Sequence, residues 1–145
     1  MIIKRLTEID EPTIHALGRL IQQLTGSMKV PLGEELEKVI ESDDTYLFVA
    51  TEKEEIIGTL TLVFYRIPSG LKVWIEDVIV SESHQGKGVA TALIWHALEV
   101  ARSKGARKAD LTSSPSREAA NKLYRKMGFD RRETNMYRLV LLEDK

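Results

Sequence analysis

Between an apolar stretch that ends at Val80 and a helical pattern that begins near residue 88 runs Ser81-Glu82-Ser83-His84-Gln85-Gly86-Lys87-Gly88-Val89-Ala90-Thr91. Two glycines straddle a lysine where a helix starts. Glycine permits positive φ and a close backbone approach, and the first-turn N–H groups of a helix have no partner inside it. Together with the positive end of the helix dipole they form a natural site for a phosphate or pyrophosphate. Ala90 keeps a small side chain where such a group would touch. The plainer alternative is a glycine-rich turn that binds nothing.

Other phosphate motifs fit this stretch poorly. A P-loop needs Gly-Lys followed by Ser or Thr, and Lys87 is followed by Gly88. The dinucleotide fingerprint needs a third glycine, where Thr91 stands, and a strand end tight against the first. Asp110 does lie at the distance of a ribose-binding acid. A second feature is a pair of carboxylates, Glu76 and Asp77, inside the otherwise apolar Trp74–Val80. In a regular strand they project to opposite faces, and charge in such a strand needs a reason. His15, His84 and His96 show no ligand spacing, so no metal is expected. Ser113 and Ser114 adjoin Pro115 and read as turn and helix cap. The absence of cysteine excludes a disulfide scaffold, a thiol nucleophile, a Cys-based zinc site and an iron–sulfur cluster.

The elements that must hold these groups fit one domain, 1–145, since a chain of 145 residues with 43% hydrophobic content builds a core without staples. A net charge of -1 argues against a broad nucleic-acid surface. No apolar window suggests a signal peptide or a membrane span, so a cytoplasmic protein with no membrane partner is expected. Residues 2–7 read as a strand. Asp10 caps a helix to about Leu24, with Pro12 in its first turn and Gly26 ending it. A weaker helix runs from Pro31 or Leu32 to Ile40. Thr45–Thr51 and Ile56–Tyr65 form a hairpin around Glu52-Lys53-Glu54-Glu55. A strand follows from Leu71 to Val80, then a helix from 88 to 104 stopped by Gly105. Ala109–Thr112 is a short strand, and Ser114-Pro115 opens a last helix ending at Gly128. Phe129–Arg132 and Met136–Leu142 are the final strand candidates. This order implies an α/β (α+β) three-layer fold, a mixed sheet with helices against it.

Gln85-Gly86-Lys87-Gly88-Val89-Ala90 matches Gln/Arg-x-x-Gly-x-Gly/Ala, the acetyl-coenzyme A signature of the GNAT superfamily of N-acetyltransferases. Trp74–Val80 resembles that family's fourth strand, and Ala119–Phe129, with its Tyr-x-x-x-Gly-Phe ending, resembles its closing helix. The element order matches as well. The resemblance implies a mixed, mostly antiparallel sheet with a splayed central strand pair and helices on both faces. It implies a pantetheine arm paired with the backbone of Val78, Ile79 and Val80. It also implies a pyrophosphate cradled by Gly86, Lys87, Gly88, Val89, Ala90 and Thr91.

The implied activity is transfer of acetyl from acetyl-coenzyme A directly to the primary amine of a small molecule or protein. A second reading is a non-catalytic acyl-coenzyme A sensor that kept the cleft. An ammonium must lose its proton before it can attack, at a cost on the order of 3–4 kcal/mol near neutral pH. A carboxylate helps, so Glu76 is the expected base and Asp77 the alternate. Tyr124 stands where the family places the acid that protonates the departing thiolate; a packed tyrosine is the alternative. Many relatives carry Asn seven positions before that tyrosine, where this chain has Arg117; Asn121 is its candidate replacement, and Arg117, Lys122 and Arg125 are candidates for the adenosine phosphates. Family habit also implies a possible homodimer through strand edges near the C-terminus.

Overall fold

The computed structural model describes residues 1–31 and 33–143, so Leu32, a candidate start of the second helix, lies outside the described residues. The chain divides into two compact units, 1–112 and 113–145. The first holds a five-stranded sheet in the order β1-β2-β3-β4-β5. Its strands are β1 (Ile2–Arg5), β2 (Thr45–Glu52), β3 (Glu55–Ile67), β4 (Gly70–Val80) and β5 (Ala109–Asp110). The first four pair antiparallel and β5 runs parallel to β4. Helices α1 (Glu11–Thr25) and α2 (Gly33–Glu41) precede β2, and α3 (Val89–Ser103) lies between β4 and β5. The mixed, mostly antiparallel sheet is the expected one.

The layers follow from the alternation of side chains along β2. Leu47 and Val49 join Leu6, Leu17 of α1 and Leu36 of α2 in one buried cluster. Phe48, between them in sequence, meets His96 of α3 edge-on with ring centroids 4.9 Å apart. Thus α1 and α2 cover one face of the sheet and α3 the other. Burial on both faces makes Leu47–Ala50 a continuous apolar run rather than an alternating one.

Local signals set the ends of these elements. The Asp10 carboxylate accepts the Thr13 N–H at 2.9 Å, which also holds that carboxyl below its ordinary value. Gly26, with φ 71°, closes α1 by donating its N–H to the Gln22 carbonyl at 2.8 Å. The β2–β3 turn places Lys53 and Glu54 at φ 50° and 68°, the left-handed pair that a two-residue hairpin needs.

β4 and β5 part early. Their ladder consists of Val73 opposite Ala109 and Trp74 opposite Asp110, while β4 continues to Val80. Beyond Trp74 that edge of β4 has no strand partner among the described residues, which is the splayed pair the resemblance implies.

The second unit carries α4 (Glu118–Lys126) and corrects two expectations. Ser114-Pro115 does not open the helix. Residues 114–117 form a turn in which the Arg117 N–H donates to the Ser114 carbonyl at 3.0 Å, and Arg117 (φ -85°, ψ 68°) is the uncapped N-cap. The turn takes up the fixed φ of Pro115 that the sequence pattern assigns to a first helical residue. Phe129–Arg132 and Met136–Leu142 are not strands. A strand is a paired object, and β-propensity without a ladder does not make one. Met136, Tyr137, Leu139, Val140, Leu141 and Leu142 are instead 61–88% exposed.

Candidate active site

The open half of β4 contains an irregularity. Thr61 faces Glu76 and Thr59 faces Ile79, so the single residue Leu60 on β3 stands against Asp77 and Val78 on β4. Asp77 has φ 48°. This is a β-bulge whose first residue is left-handed, a place glycine usually fills and aspartate tolerates. The regular alternation of the strand is interrupted there. Glu76 is half-buried. The Asp77 side chain reaches solvent, yet the surrounding protein desolvates it enough to push its carboxyl above the ordinary 3.8.

β4 leads into a short 3-10 turn, Glu82–His84, and then the glycine loop. Gly86 and Gly88 have φ 77° and 83°, and a Cβ on either would meet nothing within 4 Å. The backbone conformation requires these glycines, and the space over them is open. Gly88 is the N-cap of α3; no side chain caps the helix and its first turn holds no acid. The first bond inside the helix runs from the Ala92 N–H to the Gly88 carbonyl at 3.1 Å, leaving Val89, Ala90 and Thr91 N–H outside the helical ladder. Val89 has a buried side chain, so its backbone alone can serve a ligand. Lys87 is exposed.

Several contacts fix the loop. Beneath it, a Cβ on Gly58 would lie 3.0 Å from Val89 Cγ1 and 3.2 Å from both the Ile79 carbonyl oxygen and Leu93 Cδ1. The first turn of α3 therefore rests on β3 at a distance only glycine allows. The Val80 carbonyl accepts two side-chain amides, Gln23 Nε2 at 2.8 Å and Gln85 Nε2 at 3.2 Å. Gln23 Oε1 accepts the Glu82 N–H at 3.2 Å. His84 Nε2 lies 3.6 Å from Glu52 Oε2, and its Nδ1 lies 3.0 Å from Ser83 Oγ.

These distances refine the expected roles. The Gln85 side chain braces the loop. The Val80 carbonyl has both lone pairs engaged by the Gln23 and Gln85 amides, while Ile79 pairs with Thr59 on β3. Gln23 carries no motif and is absent from the expected set; it meets Val80 from 57 positions away in sequence.

Within the second unit, Tyr124 meets Phe129 edge-on with centroids 5.9 Å apart, and the Phe129 N–H donates to the Tyr124 carbonyl at 3.0 Å. Burial pushes the Tyr124 phenol above the ordinary 10, with the Arg117 guanidinium pulling the other way. It therefore stays protonated at neutral pH. Asn121 spends its amide hydrogens on the carbonyls of Ser114 at 2.8 Å and Arg117 at 2.9 Å, holding the turn before α4.

A three-layer domain with a bulged, half-unpaired strand running into open glycines and an uncapped helix start is a frame for an extended ligand bearing an anionic group. The profile of the acetyltransferase (GNAT) family matches residues 18–129, and the chain belongs to that family. It is 44% identical over 62 residues to a glucosamine 6-phosphate N-acetyltransferase of Trypanosoma brucei brucei, a match covering 43% of this chain and 40% of that protein. It is 29% identical over 98 residues to N-alpha-acetyltransferase 30 of Schizosaccharomyces pombe, covering 66% of this chain and 64% of the relative. In each case the matched part is less than two thirds of the relative's length. Among solved structures, a Trypanosoma brucei acetyltransferase superposes with a TM-score of 0.78 at 29% identity, covering 96% of this chain and 98% of that one. An aminoglycoside acetyltransferase from an uncultured soil metagenomic sample shares the fold with a TM-score of 0.85 at 24% identity, covering 97% and 95%.

Proposed function

We propose that the chain is an acetyl-coenzyme A-dependent N-acetyltransferase that moves acetyl directly to a primary amine of a small molecule or protein, in a ternary complex. The observation that carries this reading is the uncapped start of α3 above two open, left-handed glycines, following the unpaired edge of β4. The N–H groups from Gly86 to Thr91 hold the diphosphate, and the backbone of Val78, Ile79 and Val80 pairs with the pantetheine arm. Gln85 secures the loop. Arg117 offers a cation to the phosphates, and Asn121 serves by shaping the turn before α4. All 145 residues form one functional domain.

Glu76 takes the proton from the acceptor ammonium, directly or through water. Asp77 is the alternate, and its raised carboxyl is a stronger base, once ionised, than an ordinary aspartate. The free amine attacks the thioester carbon, and backbone N–H near Ile79 or Val80 stabilises the oxyanion. As the carbon–sulfur bond breaks, the Tyr124 phenol gives its proton to the departing thiolate, and the surplus proton on the acylated nitrogen passes, directly or through water, to the phenolate, which restores the tyrosine. The products are an amide and coenzyme A, with no covalent enzyme intermediate and no metal.

Among the described residues no helix is long and apolar enough to cross a membrane; a cytoplasmic location is part of the proposal. The exposed apolar run from Met136 to Leu142 supports pairing with a second copy.

Calorimetry with coenzyme A tests the reading. The wild type should bind, and Gly88→Trp, which fills the space over the loop, should not. Absence of heat with the wild type overturns the proposal. Tight binding without turnover on amino sugars, polyamines, aminoglycosides, amino acids or peptides identifies a sensor instead.

A further inference from the structure

We infer that Gln23, in the last turn of α1, is a positioning residue that sets the exit of β4 into the anion-binding loop. The inference rests on the acetyltransferase reading for its ligand, but its geometry stands alone. Gln23 makes a two-point bracket around Ser81: its Nε2 donates to the carbonyl of the residue before, Val80, at 2.8 Å. Its Oε1 accepts the N–H of the residue after, Glu82, at 3.2 Å. One side chain thereby orients the final peptide group of the strand and the first of the turn. The primary amide supplies a donor and an acceptor from separate atoms of one terminus; an ionised glutamate lacks the donor and leucine lacks both.

The bracket acts on the site through a shared atom. The Val80 carbonyl also accepts Gln85 Nε2 at 3.2 Å, and Gln85 directly precedes Gly86. Gln23 and Gln85 therefore approach one oxygen from α1 and from the loop. Removing either leaves the other holding a carbonyl free to rotate, so the two contributions should be coupled. The side chain of Gln23 is exposed, so its loss opens no cavity in the core. Its effect should fall on loop geometry rather than on global stability.

Coenzyme A itself is the probe. For Gln23→Ala, calorimetry should show affinity weakened by about fivefold to tenfold, the equivalent of one net hydrogen bond. The melting temperature should stay close to that of the wild type, and hydrogen exchange at the Glu82 amide should quicken. With any accepted amine, KM for acetyl-coenzyme A should rise while kcat holds. Gln23→Glu keeps an acceptor for the Glu82 N–H but loses the donor to Val80. It should retain slow exchange at Glu82 and still bind coenzyme A more weakly, which keeps the test alive if the alanine variant fails to fold. Gln85→Ala combined with Gln23→Ala should cost less than the two effects summed. Gln22→Ala, one residue away, should bind like the wild type.

Unchanged affinity in both Gln23 variants overturns the inference, as does strict additivity with Gln85→Ala. If the wild type itself ignores coenzyme A, the acetyltransferase reading fails, whereas unchanged Glu82 exchange in Gln23→Ala removes the bracket independently.

Discussion

The two halves of β4 are built for different ends. From Gly70 to Ile75 the strand runs beside β3, and Val73 and Trp74 also pair with β5. Val73 and Ile75 there are buried in the core. From Glu76 to Val80 the same strand loses its β5 partner, gains a bulge at Asp77 and Val78, and carries two carboxylates. The first half pairs its backbone with β3 and β5, and the second has β3 alone. A single strand thus anchors itself at one end so that the other can depart from regular geometry, and the bulge marks the change of role.

That contrast can be broken most severely in the closed half. Ile75 is 3% exposed, and Ile75→Ala should lose about 2–5 kcal/mol of stability in urea titration. Val78→Ala, beyond the bulge at a half-buried position, should lose clearly less. Equal losses would erase the distinction. In the open half the effect should be on rate: Glu76→Gln should lower turnover about 10²-fold at saturating acetyl-coenzyme A while leaving stability nearly unchanged. If Asp77→Asn is the more damaging of the two, the roles are exchanged. Tyr124→Phe should cost turnover on a similar scale of about 10²-fold, and an unchanged rate with chemistry limiting would remove the phenol from the mechanism.

Smaller in energy is Gly58→Ala. Its new Cβ meets the Ile79 carbonyl and Val89 at distances the neighbours must yield to, and overpacking of this kind costs about 1–3 kcal/mol. Because α3 would be pushed off the sheet, coenzyme A binding should weaken in parallel, measurable by calorimetry on the folded fraction. The smallest effect concerns Asp77. Its carboxyl titrates above 3.8 in the fold and near 3.8 in the unfolded chain. Ionisation therefore favours the unfolded state once pH rises through 3.8, and the penalty is complete above the folded value. Asp77→Asn should raise the melting temperature at neutral pH and lose that advantage below pH 3.8. An advantage independent of pH would mean that desolvation is not its source.

Much of the fold was legible because its signals are local. Asp10 and Gly26 bound α1 within a residue of the expected ends, and the β-rich runs around Lys53 and Glu54 declared a hairpin. The glycine loop was legible for the same reason, since positive φ and an uncapped helix start are properties of a few consecutive residues. The bulge was not, because no glycine marks its left-handed position; aspartate at Asp77 reads as one more strand residue. Gln23 was invisible, since its contact with Val80 depends on how α1 docks over β4. Phe129–Arg132 and Met136–Leu142 misled for the opposite reason: their composition favours a strand, but a ladder needs a neighbour that composition does not specify.

Gly58 has a consequence for how this protein can vary. The start of α3 is seated by the Val89 and Leu93 side chains lying directly on bare backbone at Gly58. Any side chain at position 58 must therefore displace both of them and the Ile79 carbonyl. The position that cannot drift is the one with nothing to lose but a hydrogen atom.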